Sequence, residues 1–158
     1  MIFVTVGTQK FQMDRLLKAV DEIAFSGTVG EPFFVQSGHG TYVPENCEYA
    51  SFLSKEEIED KVDLCSVLIC HAGVGSILHG LKKRKKVIVV PRLKMFGEHV
   101  DDHQVEIAES FAKAGYIKCV KDVSCLVDAI HECAGWIPQV FVSNKEKFNQ
   151  LVLRSLME

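Results

Sequence analysis

Much of what a chain can advertise is missing from these 158 residues. No apolar run approaches the roughly 20 residues that a membrane-spanning helix needs. There is no basic excess: the formal net charge is -3, which gives no electrostatic case for a nucleic-acid partner. The six cysteines, at 47, 65, 70, 119, 125 and 133, form no Cys-x-x-Cys pair, and several sit inside apolar runs. That pattern points to reduced core thiols of a cytoplasmic protein, not to disulfides or a zinc site. No G-x-x-x-x-G-K-[ST] occurs, which excludes a P-loop. The dinucleotide fingerprint G-x-G-x-x-G also fails, because Gly73-Val74-Gly75 is followed by Ser76-Ile77-Leu78 and the first turn has Gly7 alone. The absence of Asp-x-Asp removes the usual acidic metal clamp, and the absence of G-x-S-x-G weakens a hydrolase reading. The opening Met1-Ile2-Phe3-Val4-Thr5-Val6 lacks a basic n-region and reads as a first strand, not a signal peptide. No repeat, low-complexity tract or linker divides the chain.

What remains is an ordinary soluble composition, 47% hydrophobic and 25% charged, at a length that suits one packed sheet with helices on both faces. Residues 1–158 are therefore expected to form a single domain.

The chain is organised around Leu68 to Leu78. An apolar run ends in His71-Ala72-Gly73-Val74-Gly75-Ser76, and a helical pattern starts at once. This predicts a buried strand feeding a helix through a glycine loop. Free N–H groups at such a helix start, with the Ser76 hydroxyl, suit an anion, most often a phosphate. A tight turn with no ligand has the same local pattern.

Other elements follow from apolar spacing and turn residues. Ile2 to Val6 predicts a buried strand ending in Gly7-Thr8-Gln9, and a helix is expected from Phe11 to Ala24, stopped by Gly27. Pro32 to Gln36 and Cys47 to Phe52 read as strands. Ser54 and Glu57 have capping-box spacing at the start of a helix. After Val67–Cys70 and a helix over Val74–Lys82, strands are expected over Val87–Pro91 and Tyr116–Val120. A helix from about Asp101 to Ala114 lies between them, and Asp122 caps the next. Ser143 and Glu146 open a C-terminal helix over about 143–157, which either packs on its own sheet or docks a partner. Strands alternating with helices imply a doubly wound α/β domain with a parallel sheet, whose ligands bind at the strands' C-terminal ends.

Functional groups concentrate at those ends. His99 and His103 have the i, i+4 spacing of a zinc helix, but Val100 stands where that motif needs its glutamate base, so no metal site is assigned. Asp101 or Asp102 suits helix capping. Equally, Asp102, His103 and Gln104 suit hydrogen bonds to the hydroxyls of a ribose or sugar. His71 is either a satisfied structural residue or a donor to a phosphate oxygen. Phe52 is either core or a cover for a nucleobase. The run Lys82-Lys83-Arg84-Lys85-Lys86 is either helix-end charge or a contact for acidic lipid headgroups. Arg92 is a weak candidate to pair with an acidic sugar.

Together, His71-Ala72-Gly73-Val74-Gly75-Ser76-Ile77-Leu78, Pro91-Arg92, Glu98-His99-Val100-Asp101-Asp102-His103-Gln104 and the early Val6-Gly7-Thr8 turn resemble the C-terminal, donor-binding domain of family 28 glycosyltransferases. The stand-alone form is most similar. That form includes the donor-binding subunit of the dolichol-pathway N-acetylglucosaminyltransferase and the small subunits of bacterial two-component polysaccharide glycosyltransferases. The resemblance implies a Rossmann-like domain, the C-terminal half of a GT-B enzyme. It implies inverting transfer from a UDP-sugar to a polyprenyl-diphosphate-linked acceptor, with no cofactor and no protein-held metal. Gly7, Thr8, His71, Gly73, Val74, Gly75 and Ser76 would hold the diphosphate. The backbone at Leu53, with Phe52 beside it, would read uracil, and Asp102, His103 and Gln104 would contact sugar or ribose. The catalytic base and the lipid-linked acceptor would come with a membrane-anchored partner subunit, leaving this chain cytoplasmic, peripheral to the inner face of the membrane, and free to self-associate in isolation. His79 stands where many relatives carry an acidic ribose-binding residue. A non-catalytic nucleotide-binding or interaction module on the same scaffold is the other reading.

Overall fold

The computed structural model describes residues 1–142; the expected C-terminal helix at about 143–157 lies outside the described residues. Six parallel strands form one sheet: β1 (Ile2–Thr5), β2 (Phe33–Gln36), β3 (Glu48–Ala50), β4 (Val67–Cys70), β5 (Lys86–Val89) and β6 (Lys118–Cys119). Their order is β3-β2-β1-β4-β5-β6, the doubly wound arrangement expected from the alternating pattern.

Period-2 alternation sends side chains to two cores. Ile2, Val4, Ile69 and Ile88 face one layer, which holds α1 (Asp14–Ser26) and α5 (Leu126–Glu132). Phe3, Leu68, Val87 and Val89 face the other, which holds α2 (Lys55–Leu64), α3 (Val74–Lys82) and α4 (His103–Lys113). Both faces of the central strands are covered, so β1 and β4 read as unbroken apolar runs.

Local chemistry sets the helix ends. The expected capping box opens α2: Glu57 N–H donates to Ser54 Oγ at 3.2 Å, and Ser54 N–H donates to Glu57 Oε2 at 2.7 Å. Gly27, at φ 66°, ends α1 in the left-handed conformation. Asp122 accepts from Ser124 N–H at the head of a 3-10 turn over Val123–Cys125, and α5 follows that turn.

Three expectations need correction. Helix α1 starts at Asp14, not Phe11, because buried Arg92 takes the carbonyls of Phe11 and Gln12, each at 3.0 Å. The same guanidinium donates to Val6 O at 2.6 Å and Glu98 O at 3.2 Å, so Arg92 is a buried strut rather than a group free to meet an acidic sugar. Of the six free cysteines, Cys125 is exposed and therefore not a core thiol.

The basic run is tied down within the chain at three of its five positions. Lys83 pairs with Asp63 at 2.9 Å and Glu59 at 3.1 Å. Lys85 Nζ donates to Asp63 O and Cys65 O at the end of α2, and Lys86 Nζ to Cys133 O and Ala134 O after α5. Those contacts favour the helix-end reading. No helix among the described residues is long and apolar enough to cross a membrane.

Candidate functional site

Strand order reverses between β1 and β4, so the loops leaving them part and open a crevice. A cleft of about 270 Å³ lies there. Gly7, Thr8, His71, Gly73, Gly75 and Ser76 line its mouth, with His79 and Gln9 beside them. Phe3, Ile58, Val62 and Leu68 form its apolar wall, between α2 and α3, and Thr5 and Gln36 add polar groups from the strand ends.

The mouth is built by α3. Its first intrahelical bond runs from Ile77 N–H to Gly73 O at 3.1 Å, and no side chain caps it. The amides of Val74, Gly75 and Ser76 are therefore left over by the helix. Gly75 has open space where a Cβ would stand. Gly80 explains how close the helix comes: a Cβ there would lie 2.7 Å from side-chain atoms of both Leu68 and Val87, so glycine lets α3 press on β4 and β5.

His71 is wedged between the two loops. A Cβ at Gly73, or at Gly7 with its φ of 75°, would strike the imidazole. Nδ1 accepts from Gly73 N–H at 3.1 Å and lies 3.5 Å from Gln104 Nε2. Burial, then the nearby Arg92 cation, push its pKa down to about 4, so the ring is neutral at pH 7. With Nδ1 accepting, the proton sits on Nε2, against Gly7. The mouth thus presents backbone N–H groups, an imidazole N–H and hydroxyls, with no Lys or Arg among the cleft's lining residues. That donor set suits an oxyanion held by dipoles rather than by counter-charge.

Phe52, Leu53, Asp102, His103 and Gln104 are not among the residues lining the cleft, whereas His79 is. Phe52 is half-exposed and meets His39 edge-on at 5.1 Å. Leu53 is partly buried against the core on the α2 side. Gln104 is buried: its Oε1 accepts from Arg92 N–H at 3.1 Å, and its amide faces His71. Asp102 Oδ1 accepts from Lys94 N–H at 2.8 Å, while Asp101 takes the capping bond from His103 N–H at 3.1 Å. His103 is exposed, 3.4 Å from Glu106. His79 Nε2 lies 3.2 Å from Glu59 Oε1, within ion-pair range but off line for a hydrogen bond. Among the described residues, no three His, Cys, Asp or Glu side chains come together as a metal site.

Residues 1–154 match the family model described as "Glycosyltransferase family 28 C-terminal domain". The chain belongs to that family. Relatives in the same group include the human protein named "UDP-N-acetylglucosamine transferase subunit ALG13", 32% identical over 123 residues, or 73% of this chain and 10% of that protein. The Saccharomyces cerevisiae protein of the same name is 29% identical over 96 residues, covering 60% of this chain and 46% of its own length. The chain therefore spans about a tenth of the human relative it matches and about half of the yeast one. Its fold is shared with an NMR structure of ALG13, at a TM-score of 0.62 and 20% identity over 99% of this chain and 96% of that one. It is shared also with the glycotransferase of kitacinnamycin, at 0.60 and 18% over 99% and 39%. The family 28 domain is thus a Rossmann-like sheet of the kind that forms the C-terminal half of GT-B glycosyltransferases.

Proposed function

We propose that this domain binds the donor of a two-component, inverting glycosyltransferase, holding a UDP-sugar for transfer to a polyprenyl-diphosphate-linked acceptor. The supporting observation is the switch-point cleft, whose mouth gathers the unclaimed amides of Gly75 and Ser76 at the start of α3 with the neutral His71 N–H, in a chain of this family. A diphosphate seated there meets fixed donors, and the same donors stabilise the charge that grows on departing UDP. Gly7, Thr8 and Gly73 shape that seat. Leu53 and Phe52 read the uracil, Asp102 and His103 serve the sugar end, and Gln104, the third residue of that set, acts by orienting His71 at the diphosphate. The relatives' printed name points to N-acetylglucosamine as the sugar, and the word "subunit" in it supports a partner. That partner is membrane-anchored, carries the acceptor and the catalytic base, and keeps this chain cytoplasmic at the membrane's inner face.

Calorimetric titration of the purified chain with UDP and a panel of UDP-sugars tests the reading. Selective binding of one UDP-sugar is expected. Gly75→Asp should abolish it while leaving the melting temperature within about 2 °C, because open space receives the side chain and a carboxylate at a helix start does not disturb the helix. A folded Gly75→Asp that binds UDP as tightly as wild type would sink the proposed seat.

The placement of His79 against Glu59, with no α3 carboxylate in the cleft wall, favours a second reading: a non-catalytic nucleotide-binding module. Transferase activity of the chain with its co-expressed membrane partner would decide against it.

A further inference from the structure

Gln36 ends β2 beside Thr5 of β1, deep in the cleft. Its side chain is only 1% exposed, and Oε1 has no hydrogen-bond partner among the described residues. The wall around the cleft is otherwise apolar at Phe3, Ile58, Val62 and Leu68. An unpaired amide oxygen in such surroundings is destabilising, a penalty that a leucine of similar volume would not carry. The cleft is two-ended. Its mouth is an anion seat made of N–H and O–H donors; its depth is apolar apart from Thr5 and the Gln36 amide, whose Oε1 is unsatisfied. A diphosphate offers only acceptor oxygens and cannot satisfy Oε1. On a uridine diphosphate the groups that can are the two ribose hydroxyls and the imide N–H of uracil.

We propose that Gln36 is a specificity-determining contact, its Oε1 accepting a hydrogen bond from the nucleoside half of the donor while the glycine loops hold the diphosphate. This rests on the nucleotide-sugar reading above; Leu53 and Phe52 remain the uracil readers there, and Gln36 adds a contact to the nucleoside from the buried end of the cleft.

The test titrates the full chain and its Gln36→Leu variant with UDP, inorganic pyrophosphate, 2′-deoxy-UDP, 3′-deoxy-UDP and 3-methyl-UDP, alongside thermal melts. Gln36→Leu should melt at or above the wild-type temperature, because it removes an unpaired buried group. It should lose about tenfold or more in UDP affinity, the scale of one buried hydrogen bond, and keep its pyrophosphate affinity. One of the three analogues, lacking the donor that meets Oε1, should bind wild type about tenfold less tightly than UDP yet bind the variant as well as UDP does. If Gln36→Leu fails to fold, Gln36→Met replaces it as the variant. A folded variant that binds UDP like wild type, or that discriminates the analogues as wild type does, overturns the assignment while the nucleotide reading stands. A wild-type chain that binds UDP no better than pyrophosphate overturns both.

Discussion

His71 carries two jobs on one ring. Nδ1 receives the Gly73 amide, which fixes the shape of the loop, and that leaves Nε2–H as the group turned toward Gly7. Burial, and then the Arg92 cation, make the folded chain resist protonation, and a pKa of about 4 against the ordinary value of 6.5 makes stability depend on pH. Above pH 6.5 the ring is neutral whether the chain is folded or not. Between 6.5 and 4 the unfolded chain takes up a proton that the folded chain refuses, so stability falls as pH falls. Urea unfolding should show a loss of about 2 kcal/mol between pH 7 and 5. A His71→Gln variant should show a much flatter profile there, and an unchanged slope would remove His71 as its source. Hydrogen-bonded carboxylates such as Asp14, held below the ordinary value, lose their contribution only at lower pH, so the window belongs to the imidazole. His71 and its glycines are legible in the sequence because small residues and a polar ring interrupt an apolar run. Gln36 is not: a glutamine ending a strand looks the same whether it faces solvent or a cleft.

At the scale of elements, α3 ends in a Schellman turn with an unusual occupant. Arg84 N–H reaches Leu81 O and Lys85 N–H reaches Gly80 O, each at 3.0 Å, which places Arg84 at φ 55°, where glycine is the usual residue. The left-handed conformation costs a side chain roughly 1–2 kcal/mol, partly offset by the extra freedom glycine gives the unfolded chain. Arg84→Gly should therefore stabilise the domain by about 0.5–1 kcal/mol in chemical denaturation, with nucleotide binding untouched. An arginine chosen for contacts with its neighbours would instead make that variant less stable. Sequence periodicity shows α3 and its start, but α1, on the other face of the sheet, begins three residues later than its apolar spacing suggests. The reason is long-range: Arg92, about 80 positions away, claims the carbonyls at Phe11 and Gln12. Its companion Glu98, fully buried, is held by Arg15 at 2.9 Å and by Leu93 N–H at 2.9 Å. Such a buried polar knot leaves no periodic trace, because each member reads as an ordinary charged residue of a loop or helix face.

The whole molecule is a device for bringing distant turns together. The Gly7 turn and the His71 turn meet only because β1 and β4 are neighbours, with two strands and two helices between them in the chain. Alternating patterns make the doubly wound class legible, and with it the end of the sheet where ligands sit. They do not show how far each loop reaches. Phe52, on the turn after β3, leans on His39 rather than lining the cleft, and Asp102 secures the turn at Lys94. Both follow from contacts between loops, which have no period.

The absence of any Lys or Arg from the cleft's lining among the described residues, in a chain of net charge -3, reaches beyond the bound state. A site that neutralises phosphates with side-chain cations weakens steeply as ions screen it, while one made of backbone dipoles at contact distance is screened far less. UDP affinity should thus change by less than about threefold between roughly 50 and 500 mM salt in calorimetry, and a tenfold fall would reveal a cation at the seat. Kinetics follow the same logic. With nothing to steer an anion inward from a distance, arrival is ordinary diffusion and all dissolved nucleotides knock equally often. Selection is exercised after entry, in how long each one stays.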